Sequence, residues 1–363
     1  MSNFNFPYPV NACGYDIEVI GDRMPYIINK TDIIFPKEYL LLLRYYFDAE
    51  NVDYSISESH VSVKHNVSPH YLTIQKLCEI EKNSSNLDLW ITDDIVRSGL
   101  ASVTHFIPIP TEYIREIREN DRQHTKLTAN MMYKLRNFYR YLQNTGYFSE
   151  SNDKWYFFKL AGMSSKTTQF DPCNMITTDI RKKCPYKSKI YGHLTVSSPE
   201  EIIYLLCCSP RLYYSLALYE HTNNLQTSIC LREYNSELED EDLDFRVFIY
   251  NRKVTAITQY KWNSIIEKLQ NASLCVSIRD RIIDFWDSIV HLFPQYPQVV
   301  MDVHLSSDLK DVLIIEFNTF GLHQRCGGGL FSWLNDYEIL YNVRDYTELR
   351  ILDEKTKSFV KYT

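Results

Sequence analysis

The sequence predicts an α+β fold with antiparallel sheets and flanking helices. Three observations carry this. Short runs rich in β-branched residues come in neighbouring pairs: VVMDVHL and DVLIIEFN flank the polar turn Ser306-Ser307-Asp308-Leu309-Lys310, and DFRVFIY at 244–250 precedes Lys253-Val254-Thr255-Ala256-Ile257-Thr258-Gln259. Longer stretches at 127–142 and 276–293 repeat apolar residues at helical spacing. The chain has 363 residues, 45% hydrophobic and 23% charged, enough to bury a sizeable core in two or three folding units.

Taken in order, residues 1–95 are read as an extension. Pro7, Pro9, Gly14 and Gly21 mark turns, Pro36-Lys37-Glu38 opens one helix, 70–82 is a second amphipathic stretch, and Asn83-Ser84-Ser85-Asn86 breaks it. Pro108 and Pro110 hold 103–110 extended. Leu127, Met131, Leu135, Phe138 and Leu142 define a helix that Gly146 closes. Residues 154–160 form a strand ahead of the small, polar run 161–167. Ser197-Ser198-Pro199-Glu200-Glu201 is a helix start with a capping serine, proline in the first turn and early acids. A strand at 227–234 precedes an acidic loop at 235–242. Pro294 and Pro297 end the long helix at 276–293, and a last strand lies at 348–352.

Composition narrows the function. Net charge is −7 and the isoelectric point about 5.8, which argues against a nucleic-acid or anionic-membrane surface. The densest basic patch, Arg181-Lys182-Lys183 with Lys187 and Lys189, reads as a solvated loop. Nine cysteines without a C-x-x-C pair fit thiols in a reducing compartment, not a disulfide framework or a zinc site. His60, His65 and His70 recur every five residues, which suits neither a helix face nor a strand face. No apolar run approaches the roughly 20 residues of a membrane span, and the start lacks a signal peptide, so a soluble, cytosolic protein is expected.

The chemistry concentrates in the 299–318 hairpin. Glu316 and Asn318 project from one face of a strand, with Asp302 across from them on its neighbour. Two carboxylates and an amide oxygen on one face suit a hard cation such as Mg2+. By spacing alone the pattern fits a solvated hairpin face as well, and that reading is favoured for an arbitrary pair. In DFRVFIY, Arg246 sits among apolar residues and needs an anionic partner, either phosphate or a strand carboxylate such as Asp302 or Glu316. Gln259 is expected to line the same cleft.

DFR, Asp302-Val303-His304, Glu316-Phe317-Asn318-Thr319-Phe320-Gly321 and Leu330-Phe331-Ser332-Trp333 resemble, in order and spacing, the cell division cycle protein 123 family, also called the D123 family. Its members carry EFRCFV…ISQ, a DVY-like strand, DFNPFG, and LLFSW or LLFTW. The resemblance covers about residues 100–340. It implies an ATP-grasp-like two-lobed fold, with 1–95 an extension of unknown role, 96–225 an N-terminal lobe, and 226–363 a C-terminal lobe bearing the Mg-ATP site. It implies ATP and Mg2+ as cofactors, and action as a monomeric assembly chaperone for eukaryotic translation initiation factor 2 through its gamma subunit. By position, Lys159 and Lys166 meet nucleotide phosphates, Arg232, Glu233 and Tyr234 line the adenine pocket through backbone groups, Arg246 contacts phosphate, and Asp302, Glu316 and Asn318 hold the metal. This chain departs from the family pattern at Ser165 and Thr167, at Glu316 where the family has aspartate, and at Gly327-Gly328-Gly329. The alternative is an ATP-grasp ligase or phosphoryl-transfer enzyme acting on a carboxylate, peptide or protein, using the same Lys159, Arg246, Asp302, Glu316 and Asn318.

Overall fold

A computed structural model describes residues 87–120, 127–148, 154–164, 194–209, 227–233, 241–320, 326–333, 335–356 and 358–363, positions 212, 216, 219, 235 and 238, and the backbone of five short early strands. Of these, β1 (Ile17–Val19) pairs with β2 (Pro25–Ile27), and β3 (Ile33–Pro36), β4 (Asp53–Ile56) and β5 (His60–Lys64) form a sheet in the order β3-β5-β4. The helices expected after Pro36 and at 70–82, and the basic patch at 181–189, lie outside the described residues.

The main body holds two sheets. The first has four antiparallel strands in the order β6-β9-β7-β8: β6 (Thr104–Ile109), β7 (Tyr156–Leu160), β8 (Thr195–Val196) and β9 (Thr227–Glu233). The second has six, in the order β13-β12-β10-β11-β14-β15: β10 (Asp244–Tyr250), β11 (Lys253–Gln259), β12 (Val299–Leu305), β13 (Val312–Asn318), β14 (Glu348–Leu352) and β15 (Phe359–Tyr362). Only β11 and β14 run parallel in it, so the fold is α+β with a mixed larger sheet. The first sheet takes β9 from the segment expected to open the C-terminal lobe.

Eight α-helices have both ends among the described residues: α1 (Leu87–Trp90), α2 (Asp93–Arg97), α3 (Thr111–Asn120), α4 (Ala129–Lys134), α5 (Arg136–Gln143), α6 (Pro199–Cys208), α7 (Ala272–Ile289) and α8 (Tyr337–Leu340). α4 and α5 occupy the single helix expected at 127–142. Leu135 leaves helical geometry at ψ 15° between them, yet Leu135 N–H still reaches Met131 O and Tyr139 N–H reaches Leu135 O. The apolar stripe therefore stays continuous, with Met131, Leu135, Phe138 and Leu142 buried against the first sheet. α6 starts as its sequence requires: Ser198 caps it by accepting from Glu201 N–H, and the Glu201 carboxylate accepts from Ser197 N–H at 2.7 Å.

α7 begins at Ala272, four residues before the expected start, because Asn271 accepts from the N–H groups of Ser273 and Leu274. Its buried side chains Cys275, Ile278, Ile282, Phe285, Trp286 and Ile289 cover one face of the larger sheet, made of Phe245, Val247, Ile249, Ile257, Met301 and Val303. Each such side chain contributes about 1.5–3 kcal/mol by leaving water. α1, α2 and the segment after them join this same core. Trp90 packs edge-on to Phe317 and Phe293, Leu87 N–H bonds Ala161 O just past β7 of the first sheet, and Leu100 O accepts from Ile314 N–H in the second. Residues 87–95, expected within the extension, are thus part of the folded body.

Two turns set the registers that matter. Asn251 and Arg252 adopt φ of 50° and 64°, closing the β10–β11 hairpin with a two-residue turn of the hand that matches strand twist. Between β12 and β13, Asp308 Oδ1 accepts from Ser306 Oγ and Lys310 N–H, and Leu309 takes φ 60°. A bulge then follows: Asp302 pairs with Glu316 but Val303 with Ile314, leaving Ile315 extra on β13. That extra residue lets Ile314 and Phe317 both enter the α7 core while Glu316 and Asn318 turn to the opposite face.

Candidate functional site

The face of the larger sheet opposite α7 is apolar at one end and ionic at the other. At the apolar end Phe248, Ala256 and Val300 lie under Phe320, Phe331, Trp333 and Leu340. The ionic end is a cross-strand row. Arg246 on β10 pairs with Asp302 on β12, which pairs with Glu316 on β13. Arg246 grips Asp302 with two donors, Nε to Oδ1 at 2.8 Å and Nη2 to Oδ2 at 2.9 Å. Asn318 Nδ2 donates to Asp302 Oδ2 at 3.0 Å and to Glu316 Oε1 at 3.5 Å. From the other sheet, Lys159 on β7 reaches across to Glu316 Oε2 at 2.5 Å.

These charges are shielded from water. Asp302 is 1% exposed, and the side chains of Lys159 and Glu316 are 10% and 16% exposed. An unpaired charge here would cost several kcal/mol, so the pairing is obligatory. Burial pulls the Arg246 guanidinium toward losing its proton, but the Asp302 carboxylate outweighs that and holds it well above the ordinary arginine value.

The donor set fits a hard divalent cation: two carboxylates and an amide on one face, with carboxylate lone pairs beyond those already engaged. A half-turn of the Asn318 amide exchanges Nδ2 for Oδ1 and would complete an all-oxygen set. Among the described residues no group of three or more His, Cys, Asp or Glu side chains is placed to hold a metal, so a site here needs the asparagine as its third ligand.

A glycine-rich segment is fastened along this row. Gly327 O accepts from Arg246 Nη1 at 2.7 Å. Gly329 has φ +62°, and a Cβ there would lie 2.5 Å from Thr258 Cγ2, so only glycine fits. Leu330 N–H donates to Thr258 Oγ1 at 3.2 Å, and Leu330 O accepts from Arg350 Nη1 at 3.0 Å. Thr258 pairs with Arg246 on one side and Arg350 on the other, so the row runs across five strands. Arg350, 1% exposed, also donates to Glu348 and to both Asp336 oxygens, and stacks on Phe331 at 3.9 Å.

The residues expected at the adenine pocket divide. Arg232 is buried on the face of β9 that it shares with Phe157 and, two residues along β7, Lys159. The Glu233 side chain takes the other face, 3.3 Å from both His105 Nε2 and Lys154 Nζ, while its backbone N–H bonds Val103 O. Burial would raise the Glu233 carboxyl, but those two partners hold it below its ordinary range. Lys166 and Tyr234 lie outside the described residues. Gln259 is a correction: it pairs with Phe245 and so faces the α7 core. Its amide nitrogen donates to Lys261 O and Ser264 O and its oxygen accepts from Leu352 N–H, a role in pinning loops.

Three features escaped the sequence reading. Thr258 and Arg350 extend the ionic row. Asp244 and His304, paired across the strands, bury an imidazole–carboxylate contact of 2.7 Å two residues from Asp302. Asp88 in α1 sits beside Ser228 and Cys230 on the Lys159 face. Asp88 is solvent-exposed as a residue, yet desolvation by the surrounding protein pushes its carboxyl above the ordinary value, against a hydrogen bond with Ser228.

Comparison with known proteins agrees with this architecture. Residues 189–362 match the D123 family model. A CDC123-like protein of Acanthamoeba polyphaga mimivirus is 30% identical over 167 residues, 44% of this chain and 48% of that protein. The chain thus spans about half the length of that curated relative. A solved structure of C-terminally truncated Cdc123 from Schizosaccharomyces pombe shares the fold with a TM-score of 0.51 at 18% identity, covering 76% of this chain and 98% of that one. No described helix is long and apolar enough to cross a membrane. Residues 189–362 thus match a D123 domain, and the shared fold of the larger body agrees with that match.

Proposed function

We propose that this chain binds ATP together with Mg2+ where the two sheets meet, and that binding serves assembly of eukaryotic translation initiation factor 2 through its gamma subunit. The observation that carries the ligand reading is the Lys159–Glu316 contact: a lysine from one sheet and the carboxylates of the other meet at one point, the layout a metal-bound polyphosphate needs. The partner reading rests on the family resemblance, and a cytosolic location follows from that partner.

In this reading Asp302, Glu316 and Asn318 hold the cation, which bridges to phosphate oxygens. Arg246 and Lys159 meet the phosphate charge, Lys166 adds a further cation from the loop, and the backbone of Arg232, Glu233 and Tyr234 borders the adenine. A ligand held by both sheets stabilises the arrangement in which they meet, by mass action and without turnover. A surface formed only in that arrangement is then offered to the gamma subunit.

The test is thermal stabilisation by ATP with Mg2+. It is expected in the wild type and lost in Asp302→Ala and Glu316→Ala; equal stabilisation in all three proteins would remove the site. Capture of the gamma subunit by the wild type, weakened by the same substitutions, tests the partner. Sustained ADP or AMP release with an acceptor would favour the ligase instead.

A further inference from the structure

The ionic row already contains its own counter-ions. Asp302 gives both oxygens to Arg246, Glu316 gives Oε2 to Lys159, and Asn318 donates to each carboxylate. Among the described residues, two negative charges are met by two positive ones in a cluster that water barely reaches. A divalent cation arriving alone would leave two unbalanced positive charges next to a guanidinium and an ammonium. A polyphosphate arriving alone would press its negative charge against two carboxylates. Each intrusion is opposed by contact-distance repulsion that buried surroundings screen poorly.

We infer that Arg246 and Lys159 are exchangeable counter-ions, which secure Asp302 and Glu316 in the ligand-free protein and pass to an anion only when a divalent cation takes the carboxylates. The preferred ligand class is therefore a metal–polyphosphate pair, and metal and anion bind with positive coupling. This deepens the nucleotide reading above and rests on it. The side chains suit the exchange. Arg246 keeps a third anchor, Nη1 to Gly327 O, when Nε and Nη2 leave Asp302. Lys159 carries its ammonium on a flexible four-carbon stem. Because coupling between two ligands is reciprocal, Mg2+ tightens the polyphosphate by the factor that the polyphosphate tightens Mg2+.

Calorimetry on the full chain tests this with three titrants: Mg2+ alone, ATP in the presence of a chelator, and both together, corrected for Mg-ATP formation in solution. The expected coupling is on the order of 10–100-fold. If Mg2+ binds as tightly without ATP as with it, the counter-ion inference is overturned and the nucleotide reading stands. If the combination gives no binding, both are overturned. Lys159→Met supplies a second arm: with the Lys159 charge withdrawn from Glu316, Mg2+ uptake without nucleotide is expected to strengthen by about tenfold or more and the coupling to shrink. A folded Lys159→Met protein with unchanged coupling overturns the inference.

Discussion

His304 and Asp244 face each other across the β10–β12 ladder, with imidazole Nδ1 2.7 Å from Asp244 Oδ1 and both side chains buried. Removing one partner takes from the other a contact made where water does not reach. His304→Phe and Asp244→Leu are each expected to cost about 1–3 kcal/mol, and the double variant less than their sum. Urea denaturation of the four proteins measures the difference. Additivity to within about 0.5 kcal/mol would mean the two side chains do not act together.

Gly329 is fixed by sterics and by backbone hand at once. Gly329→Ala brings a methyl to 2.5 Å from Thr258 Cγ2 at φ +62° and is expected to cost about 1–3 kcal/mol. Thr258→Ser removes Cγ2 and keeps the hydroxyl that Leu330 N–H uses. Introduced beside Gly329→Ala, it should recover part of the loss and leave the backbone share. Failure to recover any of it in chemical denaturation would place the whole penalty in the backbone.

Arg350 is the only cation contacting both Asp336 and Glu348 in the ion pairs of the described residues, and its aromatic faces are Phe331 and Phe359. Lys361, at 3.5 Å from Glu348, touches the second acid only. Arg350→Met keeps the stem volume and deletes the charge, so about 3–5 kcal/mol of stability is expected to go. Arg350→Lys should recover little, because a single ammonium cannot replace the fork that spans Asp336, Glu348 and Leu330 O. Full recovery by lysine would mean that charge alone matters there.

Glu233 has a folded-state pKa below its ordinary value, held there by His105 and Lys154 despite burial. A depressed carboxyl contributes stability that is present above the unfolded pKa and lost as pH falls through the folded one. The wild type should therefore lose stability on acidification below the ordinary glutamate range more steeply than Glu233→Gln. The carboxylate is partly exposed, so the effect is small and shrinks with salt. Parallel acid limbs for the two proteins, followed by thermal melts, would contradict it.

How much of this was readable beforehand depends on where each signal lies. The β12–β13 hairpin was legible because Ser306 to Lys310 is turn chemistry between two β-branched runs, and period two put Asp302 opposite Glu316. The bulge at Ile315 was not, since nothing in LIIEFN marks an unpaired residue. Gln259 misled because a polar residue at a strand end does not reveal which partner it opposes; the register pairs it with Phe245, a core residue. Asn271 was a readable cap that the apolar periodicity, starting later, concealed. Arg350 in ELRIL looks like any surface cation, because its partner Asp336 belongs to a different element. Lys159 was placed by motif context alone, and its acid lies 157 positions away.

The segment from Leu87 to Ala101 bonds Ala161, just past β7 of the first sheet, and Ile314 in β13 of the second, with Trp90 wedged between Phe293 and Phe317. Anyone trimming this protein for expression should therefore cut upstream of Leu87. A shortened version beginning at residue 96 would discard the indole plug and leave an oily socket at the junction, inviting self-association before any ligand could be assayed.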